Sequence, residues 1–230
     1  EPKTGKGKLI NTIITLEKDE RVVAIKDSQL EDAKFVFFIT KNGTAKRLPV
    51  EELDGLTRAG RRVLGLADDD IISRVRVTNG NDEILLTTAQ GQTLRVEEEE
   101  FRPLGRQAQG VRGIRLDEGD TVVGCDIVTK GKQVLVISER GIGKRTPYDE
   151  FTQRHRAGYG VRAMKLSEKT GLLVGAWGVA DDEEIVVISS KGRMVRIHTS
   201  EVSSLSRTAT GYTVVRLDDG DTVADVSIVR

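Results

Sequence analysis

The chain has 230 residues and carries 36 basic and 36 acidic side chains, so its formal net charge is zero. Its single cysteine excludes a disulfide framework within one chain and favours a reducing compartment. Every apolar stretch is too short to span a membrane, and no basic-then-apolar leader opens the sequence. We therefore expect a cytoplasmic location without a membrane partner.

Two markers recur along the chain with a period of about fifty residues, which indicates a repeat array. The first is a leucine that ends an apolar segment, at Leu16, Leu66, Leu116, Leu166 and Leu217. The second is a turn glycine with an arginine four positions later, in the pairs Gly43/Arg47, Gly91/Arg95, Gly141/Arg145 and Gly192/Arg196. Further on, each of these glycines is followed by a glutamate and an apolar residue, beginning with Glu52 and Leu53.

In chain order, the repeats consist of short β-branched segments separated by turns. Lys41–Gly43 and Thr78–Asn81 predict hairpin turns, because Asn-Gly accepts a positive φ. Pro49–Leu53 fits either a strand or a helical turn. The third repeat shows the whole pattern, with strands predicted at 111–116, 121–128, 133–138 and 142–151. Four strands make one blade of an all-β, propeller-like array, in which Cys125 is a buried strand residue.

The repeats cover approximately residues 7–53, 60–101, 110–151, 160–202 and 211–230, so a single domain spans 1–230. The fifth repeat has two strands, which predicts four complete blades and a partial fifth. A closed ring would need two strands from upstream of Glu1, so we expect a segment of a longer subunit that lacks its first blade. The single tryptophan, Trp177, and the absence of paired glycines argue against WD and kelch propellers.

Opposite charges occupy different places in the repeat. Residues 56–66, 105–115, 152–165 and 203–216 contain many arginines and no aspartate or glutamate, whereas the turns after the marker leucines are acidic. This segregation predicts one basic rim and one acidic end, despite the zero net charge. Arginine suits forked contacts with phosphate oxygens. Because few aromatic residues accompany the arginines, duplex backbone is a better ligand than stacked single strands.

Several motifs together resemble the C-terminal domain of the bacterial DNA gyrase A subunit, over essentially the whole chain. They are Gly110–Leu116 with the acidic turn that follows, Gly141–Thr146, Arg207–Gly211 and Ile10–Val22. The resemblance implies a six-bladed β-pinwheel whose blades exchange strands and whose basic perimeter wraps duplex DNA. It also implies a place in an ATP-dependent type IIA topoisomerase of the bacterial nucleoid. The other partners would be the gyrase B subunit, together with the rest of the gyrase A subunit, which hold the catalytic parts.

With duplex DNA as the expected ligand, the candidate contacts are basic residues of the loops and of the strands beside them. They are Lys46, Arg47, Arg58, Arg61, Arg62, Arg95, Arg106, Arg112, Lys144, Arg145, Arg154, Arg156, Arg162, Lys165, Arg196 and Arg207.

The chain departs from the resembled family at one motif. The gyrase box of that family, Gln-Arg-Arg-Gly-Gly-Lys-Gly, is expected upstream of this sequence. Gln153–Gly160 keeps only its leading Gln-Arg and two glycines. A protein that natively lacks the box would resemble the topoisomerase IV A subunit, which selects substrates and wraps DNA weakly.

An enzymatic activity of the segment itself is not expected. His155 and His198 are the only histidines, and neither belongs to a triad or a metal motif. The acidic turns do not follow a calcium-loop pattern, and the glycine-rich sites lack a phosphate-loop lysine. We predict no catalytic residues, metal or cofactor in this segment. A protein-interaction propeller that binds an acidic partner is the alternative to DNA wrapping.

Overall fold

The computed structural model describes residues 9–18, 20, 22–25, 32–55, 57 and 59–229. These residues form fifteen short strands and five 3-10 helices. The strands are β1 Phe35–Thr40, β2 Thr44–Pro49, β3 Ile72–Thr78, β4 Glu83–Thr88, β5 Gln92–Glu97, β6 Val111–Arg112, β7 Val122–Ile127, β8 Gln133–Ser138, β9 Ile142–Pro147, β10 Val161–Arg162, β11 Leu173–Val179, β12 Glu184–Ser189, β13 Met194–His198, β14 Tyr212–Thr213 and β15 Val223–Val229. The helices are Ile10–Thr12, Val50–Leu53, Glu98–Glu100, Tyr148–Glu150 and Thr199–Glu201.

The strands form four small antiparallel sheets arranged in a ring. Their strand orders are β3-β1-β2-β6, β10-β5-β4-β7, β11-β8-β9-β14 and β13-β12-β15. A hairpin lies at the centre of each of the first three sheets and along one side of the fourth, and its turn glycine takes a positive φ, as Gly43 does at 86°. The all-β, propeller-like fold class and the hairpin turn at Lys41–Gly43 are confirmed. The prediction of a hairpin turn at Thr78–Asn81 is wrong, because this turn connects β3 and β4, which belong to different sheets. Residues 50–53 form a 3-10 helix, so this segment is the helical turn rather than a strand.

Each of the first three sheets takes its outer strand from further along the chain. The two-residue strands β6, β10 and β14 pair with β2, β5 and β9, respectively. Close approach of the two backbones requires glycine at Gly110, where an added Cβ would lie 2.6 Å from the Ala45 carbonyl oxygen. Strands β3, β7, β11 and β15 lie on the inner side, in contact with their neighbours and around a central cavity. This exchange of strands is the pinwheel arrangement.

The sheets do not coincide with the sequence repeats. The first sheet combines strands from the repeats predicted at 7–53, 60–101 and 110–151. The prediction of a partial fifth blade is wrong for the part of the chain that the structure describes. Of its two strands, β14 instead completes the third sheet, and β15 is the inner strand of the fourth, which has three strands among the described residues. The physical reason is that the inner and outer strands of a sheet come from later repeats than its central hairpin does.

The hydrophobic core lies between neighbouring sheets. Phe37 of β1 and Phe101, which follows the third helix, meet edge-to-face with ring centroids 5.0 Å apart, and both are fully buried. Cys125 is buried in the same cluster, as predicted. On the inner side, Arg76 Nε lies 3.2 Å from Asp126 Oδ1, and Asp126 Oδ2 accepts the Gly178 N–H at 2.6 Å. These contacts join β3, β7 and β11, and so link three sheets directly.

The described residues lack two further kinds of feature. None of their helices is long and apolar enough to cross a membrane. Within the same ranges, no group of three or more histidine, cysteine, aspartate or glutamate side chains is placed to hold a metal ion.

Candidate nucleic-acid interface

The four acid-free segments are called here the first (56–66), second (105–115), third (152–165) and fourth (203–216) basic loops. The second, third and fourth loops follow the outer edge of the preceding sheet. Leu104 N–H donates to the Arg47 carbonyl at 3.0 Å, Arg154 to Arg95 at 2.8 Å, and Leu205 to Arg145 at 2.9 Å. Further along, β6, β10 and β14 pair with the same edges. The loops therefore cover the rim of the ring.

The acidic turns lie at one end of the sheets, against the hairpin turns. Asp70 Oδ1 accepts the Asn42 N–H at 3.0 Å, and Asp120 Oδ1 accepts the Gln90 N–H at 2.9 Å. Asp221 Oδ1 makes the same contact with Lys191, at 3.1 Å. The other acidic side chains of these turns are exposed, including Asp68, Asp69, Asp117, Glu118, Asp218 and Asp219. The basic loops and the acidic turns thus occupy separate surfaces, the outer rim and one end.

Five of the predicted contacts on the rim have free side chains. Arg62, Arg112, Arg154, Arg162 and Lys165 are exposed, and their side chains form no ion pair or hydrogen bond with any described residue. Arg112 and Arg162 occupy the same position in β6 and β10, opposite Thr44 and Gln92. The pairing of these short strands fixes the backbone of each arginine while its side chain points to solvent.

A second group of rim arginines forms ion pairs or hydrogen bonds with other residues of the domain. Arg106 Nε lies 3.3 Å from Glu52 Oε2. Arg156 donates through its backbone N–H to Glu100 Oε2 (2.8 Å) and through Nε to the Glu100 carbonyl (3.1 Å). Arg207 donates through its backbone N–H to Glu150 Oε2 (2.7 Å).

The side chains of this second group also join one loop to the next. Arg156 Nη1 reaches the Arg112 carbonyl at 3.4 Å, and Arg207 Nη1 reaches the Arg162 carbonyl at 2.5 Å. The glutamates that recur after the turn glycines therefore hold the basic loop that lies about fifty residues further along the chain. Arg61 is exposed and makes only long contacts, of 3.3 and 3.5 Å, to the Asp54 and Gly55 carbonyls.

Two predicted contacts, Lys46 and Lys144, are corrected by their burial. Both residues are fully buried, and their ammonium groups donate to backbone carbonyls of the basic loops. A side chain without solvent exposure cannot bind an external ligand. Arg58, another candidate, lies outside the described residues.

Three of the four arginines that lie four positions after a turn glycine contact the following sheet, and Arg47 does so through Glu98, whose Oε2 lies 3.9 Å from Arg47 Nη1. Arg95 binds Glu83 and donates to the Tyr148 carbonyl at 3.2 Å. Arg145 Nε donates to the Val202 carbonyl at 2.8 Å, and the Arg47 guanidinium lies 4.3 Å from the centre of the Phe35 ring. Arg47 and Arg145 are buried, so neither is a surface contact. Arg196, the fourth of the series, is exposed but paired with Glu184.

Two basic residues outside the predicted contact set, Arg115 and Arg216, also belong to the rim. The Arg115 guanidinium lies 4.7 Å from the centre of the Tyr159 ring, which joins the second loop to the third. Lys165 and Arg216 hold the same place before a marker leucine, and all three are exposed. That recurrence is the sequence signal from which Arg115 and Arg216 could have been found.

Comparison with known proteins agrees with this architecture. The family model described as the DNA gyrase C-terminal domain, beta-propeller, matches residues 34–79, 82–129, 132–176 and 183–230. The DNA gyrase A protein of Aminobacterium colombiense is 57% identical over 229 residues, covering 100% of this chain and 28% of the relative. The Escherichia coli K12 protein of the same name is 36% identical over 226 residues, covering 98% and 26%. The chain thus spans about a quarter of the length of these curated relatives.

Two solved structures share the fold over almost the whole chain. The C-terminal domain of DNA topoisomerase IV superposes with a TM-score of 0.87 at 27% identity, covering 97% of this chain and 70% of that one. The DNA gyrase A C-terminal domain gives the same TM-score and identity, covering 97% of this chain and 75% of the other. From the family match and from the relatives that cover its whole length, the chain belongs to the DNA gyrase A C-terminal domain family of β-propellers.

Proposed function

We propose that this domain binds duplex DNA along the outer rim of its ring and bends it. The observation that carries the proposal is the set of five predicted contacts that are exposed and unpaired on the basic loops: Arg62, Arg112, Arg154, Arg162 and Lys165. No carboxylate interrupts these loops in the sequence. Free guanidinium and ammonium groups on loops that contain no acidic residue suit the phosphate backbone, whose contacts position a protein on DNA without reading its sequence.

Bending follows from where the loops lie. The second, third and fourth loops cover the outer edges of consecutive sheets, and the sheets form a ring. A duplex that touches several loops must follow that curve. Smooth bending of a site of 20–30 base pairs costs on the order of 1–6 kcal/mol, which the additional phosphate contacts would offset.

In the longer protein, this bending would present a DNA segment for strand passage during supercoiling by a type IIA topoisomerase. That role is supported by the gyrase A relatives. Catalysis would then belong to the gyrase B subunit, together with other parts of the gyrase A subunit. A bacterial cytoplasm with association to the nucleoid is the location that this role requires.

A topoisomerase IV-type role, with weaker wrapping, is the second candidate. The observation in its favour is that the topoisomerase IV domain superposes as well as the gyrase A domain does. The two roles share the DNA-binding rim and differ in how far the duplex follows it, so the bend angle separates them.

Salt dependence tests the proposal. If each of the five free cations neutralises one phosphate, log K should fall against log[salt] with a slope of about −4.5. Affinity would then drop roughly 500-fold between 50 and 200 mM salt. Fluorescence anisotropy with two duplexes of unrelated sequence would measure both the slope and the sequence preference.

The control in this experiment is poly-glutamate of matched charge, which stands in for an acidic protein partner. A protein-interaction propeller would bind it as well as it binds DNA. A slope near zero, or a strong preference for one base sequence, would contradict backbone binding.

A further inference from the structure

The two buried lysines, Lys46 of β2 and Lys144 of β9, are bound to the basic loops rather than to other side chains. Lys46 Nζ donates to the carbonyls of Val63 (2.7 Å), Arg106 (3.0 Å) and Ala108 (2.8 Å). All three donors of one ammonium are therefore used. One acceptor belongs to the first basic loop and two belong to the second.

Lys144, in the third sheet, makes the corresponding contacts two sheets further along the ring. Its Nζ donates to the carbonyls of Ser206 (2.5 Å) and Arg207 (2.8 Å) in the fourth loop. The same stretch of that loop is a turn, in which Ala209 N–H donates to the Ser206 carbonyl at 3.1 Å. In the second loop, Ala108 N–H donates to the Gly105 carbonyl at the same distance. Each lysine thus donates hydrogen bonds to inward-pointing carbonyls of a turn in a basic loop.

The charges around each ammonium are few. Burial lowers the pKa of Lys46, while Glu52 opposes the shift. Burial lowers the pKa of Lys144 to about 8, with Glu150 raising it and Arg207 lowering it. A buried cation is costly unless its donors are all satisfied. The loop carbonyls accept three hydrogen bonds from Lys46 and two from Lys144, so the loop conformation and the burial of each lysine depend on each other.

The second sheet offers a natural comparison. Leu94 of β5 stands at the place of Lys46 and Lys144, and it is fully buried. The third loop, which lies on that sheet, is held instead by the contacts of Arg156 with Glu100 and by the Ala157 N–H, which donates to the Gly113 carbonyl at 2.7 Å. Leucine therefore fits this position in the fold without a lysine.

We propose that Lys46 and Lys144 are positioning residues for DNA binding. Their ammonium groups fix the second and fourth basic loops in the conformation that presents the rim cations, Arg112 on β6 in the second loop and Arg216 in the fourth. This inference rests on the proposed binding of duplex DNA. The lysines themselves do not touch the ligand.

The test replaces each lysine with the residue that the second sheet already uses. In Lys46→Leu, hydrogen exchange of the backbone amides at 105–110 should accelerate at least tenfold, while that at 203–210 stays unchanged. Lys144→Leu should give the reverse pattern. In the double variant, duplex affinity should fall roughly tenfold with the salt slope unchanged, because no phosphate contact is removed. Leu94→Met, a swap of similar volume, is the matched control and should alter neither loop.

A pH profile gives a second readout. The ratio of wild-type to Lys144→Leu affinity should decline toward one as the pH rises above about 8, where Lys144 loses its proton. Lys46→Met and Lys144→Met provide alternative variants if the leucine forms fold poorly.

Three outcomes would overturn the inference or its basis. Unchanged loop exchange in both leucine variants would show that the lysines do not hold the loops. A salt slope reduced by about one per lysine would indicate direct phosphate contact instead. Wild-type protein that fails to bind duplex, with loop exchange still responding as expected, would overturn the DNA-binding function and leave only the anchoring of the loops.

Discussion

Ala157, in the third basic loop, holds a left-handed backbone conformation with a φ of 62°. Its N–H donates to the Gly113 carbonyl at 2.7 Å, so the contact between the second and third loops imposes this φ. A residue with a Cβ pays about 1–2 kcal/mol there, and glycine avoids that cost. Glycine also loses more conformational entropy on folding, which offsets about 0.4–1 kcal/mol of that gain in stability. We expect Ala157→Gly to raise the free energy of unfolding by roughly 0.5–1 kcal/mol in urea denaturation.

The control is Ala209→Gly in the fourth loop, where φ is not positive. That variant should be destabilised by roughly 0.5–1 kcal/mol, since only the entropic cost of glycine applies. Equal shifts in both variants would mean that Ala157 is not strained.

Also at the scale of single residues, Asp221 makes the stability of the domain depend on pH. Hydrogen bonds, first from the Ser189 hydroxyl and then from Ser190, Lys191 and Thr222, lower its pKa to about 2 against the opposing effect of burial. An unfolded aspartate has a pKa of about 3.9. The carboxylate therefore contributes stability above about pH 4, and this contribution is lost as the pH falls from about 4 to 2.

Asp221→Asn should lower the melting temperature at pH 7 and flatten the acid dependence of stability between about pH 4 and 2. Thermal unfolding followed by circular dichroism across this range would measure both effects. Asp219→Asn, in the same turn but exposed, serves as the control and should leave the curve unchanged. An identical acid dependence in wild type and Asp221→Asn would refute the argument.

At the scale of elements, the short strands β6 and β10 carry the rim cations that should matter most for binding. Replacing Arg112 and Arg162 with glutamine removes two free charges, so the salt slope should become shallower by about 0.9 for each. Arg156 is occupied with Glu100 and with the Arg112 carbonyl. Arg156→Gln should therefore weaken binding by loosening the loop, with the slope kept. Salt titrations of the three variants, with melting temperatures alongside, distinguish the two roles.

Asp68→Asn and Asp117→Asn are the matched exposed replacements on the acidic end, and they should leave affinity unchanged or slightly higher. If they weaken binding as much as the arginine variants do, the DNA does not lie on the rim.

The elements were predictable from sequence where the signal is local. Hairpin turns such as Lys41–Gly43 and the β-branched strands follow from turn chemistry and a period of two. Sheet membership was not predictable, because β6, β10 and β14 are two residues long and pair with strands in distant repeats. The loops were located correctly by their charge. The burial of Lys46 was not predicted, because both faces of β2 are covered and a lysine in a strand usually marks an exposed face. The sequence signal for this burial was Leu94, which occupies the corresponding position in the second repeat.

For the whole molecule, the arrangement of loops predicts a dependence on duplex length. A duplex of one turn, about 10 base pairs, reaches few of the loops, whereas one of about four turns can follow consecutive sheets. Affinity per molecule should rise with length until the rim is covered. Free duplex of that length is nearly straight, since its persistence length is about 150 base pairs. End-to-end fluorescence transfer should therefore increase on binding.

Sequence-matched duplexes with a central nick, which bend more easily, provide the control and should bind more tightly. Fluorescence transfer that does not change on binding would contradict DNA bending without contradicting DNA binding.

The exchange of strands between repeats also affects how such a protein can change its length during evolution. The third and fourth repeats each supply a hairpin to one sheet, an inner strand to the sheet before it, and an outer strand to the sheet before that. Duplicating one whole repeat therefore adds one complete blade and leaves every interior sheet with its strands. A duplication that followed the borders of a sheet would instead separate strands that belong together. Gene duplication in units of about fifty residues is thus the change that this topology tolerates.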